Sequence, residues 1–314
     1  DNKYAIDMVY YDGNGGNRAL EELRGKYEKS PMSLLNVDKN DAKYLTERFT
    51  KFLSNYARRN GFRGYVIGLS GGIDSALAAM LAVKAVGKDN VYGMLLPSKF
   101  TSQGHIDDAL KIAEQLGIKT NGYHVVQSVF DNTVDLTMRM TGIDKSNPKY
   151  KILLGNNHAR ERMKILRGKA MSLDYLVLGT TNQTEAWLGY ATIAGDGYKG
   201  VDVEPIQKLP KTSERMYARH IGIPENIITK APTAGLWEGQ TDEGEIGMSY
   251  KNIDRLMAGR MLGLSVKDII AINKGAFSKE AADKVVALAK RNEFKSKPEP
   301  HAVLVAKDYS TKEL

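Results

Sequence analysis

The run Ser70-Gly71-Gly72-Ile73-Asp74-Ser75 carries the densest chemical signal in the sequence. It follows the apolar run Tyr65–Leu69 and leads into an Ala- and Leu-rich stretch to Val86, so it reads as a strand-to-helix turn. Two glycines at such a turn let backbone N–H groups face an anion without Cβ interference, and the helix N-terminus adds its partial positive charge. The hydroxyls of Ser70 and Ser75 suit phosphate oxygens. Asp74 would repel a phosphate directly, so its presence implies a bridging Mg²⁺. Ser and Asp also favour helix caps, which makes a plain cap the competing reading. The run has neither the lysine of GxxxxGK[ST] nor the third glycine of a dinucleotide fingerprint.

A second segment, Gly179-Thr180-Thr181-Asn182-Gln183-Thr184-Glu185, follows another apolar run, Tyr175–Gly179. If the two strands are neighbours, Glu185 becomes a second carboxylate able to share a metal with Asp74. The competing reading is a helix start, with Thr181 or Asn182 as cap and Glu185 in the first turn. Taken alone, the two readings stand level.

Positioning these groups falls to a regular alternation. Strands are expected at Tyr65–Leu69, Asn90–Leu96, Ile118–Val125 and Tyr175–Gly179, and helices at Asp74–Val86, Ile106–Leu116, Val126–Met140 and His158–Ser172. Such a pattern predicts an α/β fold, doubly wound around a mostly parallel sheet, with ligands at the carboxyl ends of the strands. An amphipathic helix is expected over Asp41–Arg59. The last third reads as helical, at Ser213–His220, Ser249–Ala258, Val266–Asn273 and Lys279–Asn292, with Gly-, Asp- and Pro-rich loops at 189–206 and 230–248. Residues 1–36 read as an irregular leader, rich in turn residues, and 37–314 as a single domain.

Composition narrows the choices. The 314 residues are 42% hydrophobic and 26% charged, which suits a folded chain with a large core. No apolar run approaches the roughly 20 residues of a membrane helix; the stretch from Ala76 stops at Lys84. No signal-peptide pattern is present, and because the first residue is Asp1, a native start upstream is expected. The sequence has no cysteine, which excludes disulfides, thiolate metal sites and a cysteine nucleophile within it and fits a cytoplasmic setting. The net charge of +8 fits a basic surface or polyanionic substrates. Basic residues are scattered without a nucleic-acid motif, so small phosphorylated ligands are expected rather than nucleic acid or a membrane. The five histidines show no metal-ligand spacing, and the tyrosines and methionines read as core.

The SGGxDS run resembles the pyrophosphate-binding loop of the N-type ATP pyrophosphatases, which cleave ATP between the α and β phosphates. Beyond it stand Gly155-Asn156, Ala159-Arg160-Glu161-Arg162-Met163, Gly189-Tyr190, Gly195-Asp196-Gly197, Asp202-Val203-Glu204-Pro205-Ile206, Lys211, Lys230-Ala231-Pro232-Thr233-Ala234-Gly235-Leu236-Trp237, Gly239-Gln240-Thr241-Asp242-Glu243 and Gly247-Met248-Ser249-Tyr250. In type and order these are similar to the NAD synthetases, over roughly residues 40 to 297.

The resemblance implies ATP-dependent amidation of deamido-NAD, through an adenylylated intermediate, to NAD, AMP and pyrophosphate. It implies that Gly68, Leu69, Ser70, Gly71, Gly72, Ile73, Asp74 and Ser75 form the ATP loop, with Thr180, Lys211 and Thr233 as further ATP contacts. Asp74 and Glu185 match Mg²⁺ ligands, and Arg160 and Asp202 match residues that bind deamido-NAD. Lys211 suits offsetting charge as the α-phosphorus is attacked, which makes Asp74, Glu185 and Lys211 the expected catalytic set. Singly, Lys211 and Arg160 read as surface charge and Asp202 as a loop cap. The sequence departs from the family at Ile193, where a Lys is usual and for which Lys199 is the candidate substitute. It also departs at Phe294-Lys295, where a His-Lys pair is usual; there a ring to stack and a charge remain as deamido-NAD contacts. Without a cysteine-based amidase, free ammonia or ammonia delivered by another polypeptide is the expected donor, and a homodimer the expected assembly. The alternatives are another ATP pyrophosphatase of the GMP synthetase or tRNA-modifying kind, or a nucleotide-binding regulator without turnover.

Overall fold

The computed structural model describes residues 17–121, 126–197, 199–233 and 241–297. Four parallel strands form one sheet in the order β3-β2-β1-β4. They are β1 (Tyr65–Gly68), β2 (Val91–Met94), β3 (Lys119–Thr120) and β4 (Leu176–Leu178). β1 is central, pairing Tyr65 with Val91 on one side and with Leu176 on the other. Beyond β4, an isolated parallel bridge joins Leu178 to Val203 and brings the 201–206 segment to the sheet edge.

Alternation along the strands explains the two layers of helices. Tyr65, Ile67, Leu176 and Leu178 share one core with the helices of the first face, while Val66 and Val177 point to the other face. On the first face lie α2 (Lys39–Arg59), α3 (Ile73–Val86), α4 (Gln103–Leu116) and α8 (Lys211–Ile221). On the second, Met163, Leu166 and Ala170 of α6 (Tyr150–Leu173) meet Val66, Met94 and Val177. α5 (Val126–Met140) packs on α6 through Val134, Met138 and Leu154. The doubly wound parallel sheet expected from the sequence is therefore the fold.

The remaining helices are α7 (Gln183–Leu188), α9 (Glu225–Ile228), α10 (Asp242–Ile246), α11 (Tyr250–Met261), α12 (Val266–Ile272) and α13 (Lys279–Asn292). Ile253, Leu256, Ile269 and Val285 of this group build a separate core.

Three expectations are corrected. Residues up to 36 are not uniformly irregular: α1 (Asn17–Lys29) is a helix, and a 3₁₀ turn covers Pro31–Leu34. Leu23, Tyr27 and Leu34 enter the C-terminal helical core. The Tyr27 hydroxyl donates to Arg255 O at 2.6 Å, and Arg24 Nε donates to Leu262 O at 2.6 Å. Turn-rich residues on one side of Asn17 hid a helix whose apolar face needs a partner distant in sequence. The helix expected from His158 begins at Tyr150, because burial of Leu154 and Gly155 overrides the weak helix preference of Gly155-Asn156-Asn157. The third strand is only Lys119–Thr120; residues 122–125 of the expected strand lie outside the described residues.

Candidate active site

The carboxyl ends of β1 and β4 meet as neighbours, and the two chemically suggestive segments follow them. Gly72 is the residue that caps α3 and has no side chain to do so, so neither Ser70 nor Asp74 serves the helix as its cap. The Ser70 hydroxyl instead accepts from Gly72 N–H at 3.3 Å, and the Ser75 hydroxyl accepts from Ser70 N–H at 3.2 Å. Gly71 has φ 74°, and a Cβ there would run into the His105 carbonyl on α4. The first turn of α4 thus presses directly on the glycine loop.

α7 opens with a full capping box. The Asn182 side chain accepts from Glu185 N–H at 3.0 Å, and the Glu185 carboxylate accepts from Asn182 N–H at 3.2 Å. The helix-start reading of this segment is therefore realised. Asn182 does more: its Nδ2 donates to Asp74 Oδ1 at 2.8 Å and joins the two strand ends.

The third component arrives from α8. Lys211 is its first residue and is 1% exposed, which rules out the surface-charge reading. Its Nζ lies 2.5 Å from Asp74 Oδ2 and 3.1 Å from Glu214 Oε2. Its backbone is fixed as well: Lys211 N–H donates to Thr184 Oγ1 at 2.9 Å, and that hydroxyl donates to Asp254 on α11. Asp254 Oδ2 also accepts from Thr212 N–H at 2.6 Å, so one buried carboxylate ties the starts of α7 and α8 together.

Three carboxyl groups and one ammonium share this buried space, and their titration reflects it. Burial opposes the charge on Lys211, but Asp74, Glu214 and Glu185 outweigh it and hold the ammonium well above its ordinary range. Burial also opposes the charge on Asp74, yet Lys211 and Asn182 bring its carboxyl below the usual value. Glu185 is pushed well up, first by burial and then by Asp74. Glu214 is pushed well up by the same two causes. Nearby, burial raises Glu204 to about 7, although it accepts from Thr181 N–H at 3.0 Å and the Thr181 hydroxyl at 2.9 Å.

A cavity of about 1040 Å³ opens onto this cluster. Gly68, Leu69, Ser70, Gly72, Ile73, Asp74 and Ser75 line it, and so do Thr180, Glu185, Lys211 and Thr233. The residues expected at deamido-NAD are scattered instead. Lys295 lines the cavity, with Nζ donating to Gly189 O at 2.8 Å and Ala191 O at 3.0 Å. Arg160 is exposed, with Nε 3.3 Å from Ile193 O. Asp202 accepts from Val177 N–H at 2.7 Å and pairs with Arg167 at 2.5 Å, so its carboxylate braces β4. Phe294 is 60% exposed, and Lys199 is exposed with φ 65°. Residues 234–240 of the loop expected at 230–248 lie outside the described residues.

Sequence reasoning missed Asn182 as the link, Glu214 as the second anchor of Lys211, and Asp254. Glu214 was findable, because a residue three positions after a lysine on a helix faces it. Asp254 left no local signal.

The donor set fits Mg²⁺ in character. Asp74 and Glu185 offer hard oxygen ligands at the cavity wall, and Mg²⁺ typically takes one or two carboxylates with waters and substrate phosphates. Among the described residues no group of three or more His, Cys, Asp or Glu could hold a metal without such help. No helix among them is long and apolar enough to cross a membrane.

Comparison with known proteins adds the family. The model of the NAD synthase family matches residues 45–299. An NH₃-dependent NAD⁺ synthetase of Methanosarcina mazei is 40% identical over 261 residues, 83% of this chain and 98% of the relative. Among solved structures, an NMN synthetase from Francisella tularensis aligns with a TM-score of 0.70 at 31% identity, covering 84% of this chain and 99% of that one. An NH₃-dependent NAD synthetase from Campylobacter jejuni aligns with a TM-score of 0.66 at 26% identity, covering 84% and 99%. The chain belongs to the NAD synthase family, and is a ligase that forms a C–N bond.

Proposed function

We propose that this NAD synthase family member converts deamido-NAD, ATP and ammonia to NAD, AMP and pyrophosphate. The observation that carries the reading is the convergence of Asp74, Glu185 and Lys211, from three separate elements, on one glycine loop. In the proposed reaction the nicotinate carboxylate attacks the α-phosphorus of ATP, and pyrophosphate leaves. Ammonia then attacks the adenylated carbonyl, and AMP leaves. No enzyme nucleophile is needed, so catalysis rests on positioning and charge.

The residues divide this work. The turn Ser70–Ser75 holds the leaving pyrophosphate with backbone N–H groups and the two hydroxyls. Lys211 offsets charge that grows on the phosphates, and its burial makes that charge count for more than in water. Asp74 and Glu185 would hold Mg²⁺, which when bound would neutralise phosphate charge that these carboxylates otherwise repel. Thr180 and Thr233 contact ATP from the cavity wall, while Arg160, Asp202, Phe294 and Lys295 serve the deamido-NAD side. The relatives named for use of NH₃ support ammonia as donor. A homodimer is part of the proposal and is read by light scattering.

A second reading has its own support. The likeness to an NMN synthetase, together with the departures at Ile193 and Phe294, favours considering nicotinate mononucleotide as the acid amidated. One assay separates the readings: amide formation with ATP and NH₄⁺, offered deamido-NAD or nicotinate mononucleotide, with glutamine as control donor. A much higher kcat/KM for deamido-NAD supports the first reading. Preference for the mononucleotide replaces it, and no amide from either acid overturns both.

A further inference from the structure

Lys230 stands just after α9 and is absorbed by none of the roles above. It lines the cavity beside Ser70, Gly72, Ser102 and His105. Its Nζ donates to the carbonyl of Gly71 at 3.3 Å, on the glycine loop itself. It also donates to Asp108 of α4, whose other oxygen accepts from Asn226 Nδ2 at 2.9 Å. The pair is mostly shielded, with Lys230 and Asp108 side chains 24% and 10% exposed. Two of the three donors of the ammonium are thus spent on partners, and both partners belong to structure that shapes the loop.

We propose that Lys230 is a pyrophosphate-binding residue and that Asp108 restrains it. The inference rests on the ATP-cleaving reading above, because it assigns a further contact to the same phosphates. An ammonium touching the loop's own backbone stands at the rim of the anion cradle, where a phosphate oxygen can replace Gly71 O as its acceptor. Asp108 competes for that ammonium. Asn226 fixes the carboxylate, so only the Lys230 side chain must be ordered to meet it. The pair therefore sets how tightly pyrophosphate is held and how readily it leaves. Lys230 is also three residues before Thr233, so the contact joins the glycine loop to the start of the 231–248 segment.

The two side chains are predicted to act with opposite signs, which a merely structural pair would not do. Lys230→Met removes the contact, so the inhibition constant for Mg-pyrophosphate should rise about tenfold, the scale of one charge-assisted hydrogen bond. Asp108→Asn keeps the bond from Asn226 but turns an NH₂ toward Lys230 and frees it. Its inhibition constant should fall several-fold, with slower turnover as release becomes limiting. The double variant should match Lys230→Met, since Asp108 acts only through Lys230. Lys230→Gln substitutes if the methionine variant does not fold. The measurements are Mg-pyrophosphate inhibition of amide formation and direct calorimetry of Mg-pyrophosphate on the whole chain. An unchanged constant in Lys230→Met, or weakening in both single variants, overturns the inference. Calorimetry on the wild type and these variants keeps the questions apart: pyrophosphate binding with these shifts but no amide formation sinks the function and leaves Lys230 standing.

Discussion

The residues expected at ATP form one wall of the cavity, and those expected at deamido-NAD, of which only Lys295 lines it, make up a second; the two are built on different principles. On the wall expected to hold ATP, every named charge is bonded to a fixed neighbour: Asp74 to Asn182 and Lys211, Lys211 also to Glu214, Glu185 to the cap of its own helix. On the wall expected to hold deamido-NAD, Arg160 and Phe294 are exposed and Asp202 is engaged with Val177 and Arg167. The first wall is preorganised, so binding there loses little side-chain freedom, and its charges are ready before substrate arrives. The second must order its side chains on binding, or draw on groups beyond those named. Substitutions should accordingly strike turnover on the first wall and affinity on the second.

The largest effect expected is on Asp74. Asp74→Asn should lower turnover by about a thousandfold, because a neutral amide is a poor Mg²⁺ ligand. The fold should persist, since Glu214 still faces Lys211 at 3.1 Å. Thermal melting checks the fold, and amide formation across a Mg²⁺ titration checks the role. Undiminished activity in both Asp74→Asn and Glu185→Gln would refute a shared metal.

Lys211→Met comes next. The lost charge matters most as charge builds on the phosphates, so kcat should fall two to three orders of magnitude while the KM for ATP moves little. A large rise in KM with kcat intact would make Lys211 a ground-state binder and weaken the contrast between the walls.

How much of this contrast was legible in the sequence follows from what each feature depends on. The strands, the glycine turn and the helices after it were legible because apolar runs and breakers are local. The position of Lys211 followed from family resemblance, but its burial did not: nothing near residue 211 announces the Asp74 carboxylate that receives its ammonium, or the Asp254 carboxylate that receives the neighbouring Thr212 N–H. The same holds for α1, whose partners Arg255 and Leu262 lie more than 200 residues away. For Asp202, family resemblance pointed to a ligand contact, but no local signal announced its bond from Val177 N–H or its pairing with Arg167.

Glu204 lies against Gly179, which lines the cavity, and a Cβ on Gly179 would collide with its carboxylate. Its carboxyl is raised from 4.5 to about 7 by burial, against two bonds from Thr181. The folded form therefore holds the proton more tightly than the unfolded chain. The stability this contributes is complete below about pH 4.5 and is lost as pH rises through about 7. The loss should be at most roughly 3 kcal/mol. Glu204→Gln can keep both contacts with Thr181 and should flatten that slope, as read by urea denaturation between pH 5 and 8. A slope unchanged by the substitution would assign the pH dependence elsewhere.

The smallest effects test the second wall. Arg160→Ala removes a side chain that is already exposed and bonded only to Ile193 O among the contacts named here. It should raise the apparent KM for deamido-NAD by about tenfold, the scale of one charged hydrogen bond, with the KM for ATP little changed. Lys199→Ala asks whether Lys199, which holds the left-handed φ of 65°, replaces the lysine missing at Ile193. Alanine keeps the Cβ that costs energy at this φ and removes only the charge and the longer chain, so stability should change little while deamido-NAD binding weakens by about 1–2 kcal/mol. Steady-state kinetics with both substrates varied decides each case. If Arg160→Ala acts only on ATP, the two walls have been assigned the wrong way round. If Lys199→Ala is silent, Ile193 stands uncompensated, and the open wall has one charge fewer for holding a dinucleotide, which is the condition under which the mononucleotide reading gains.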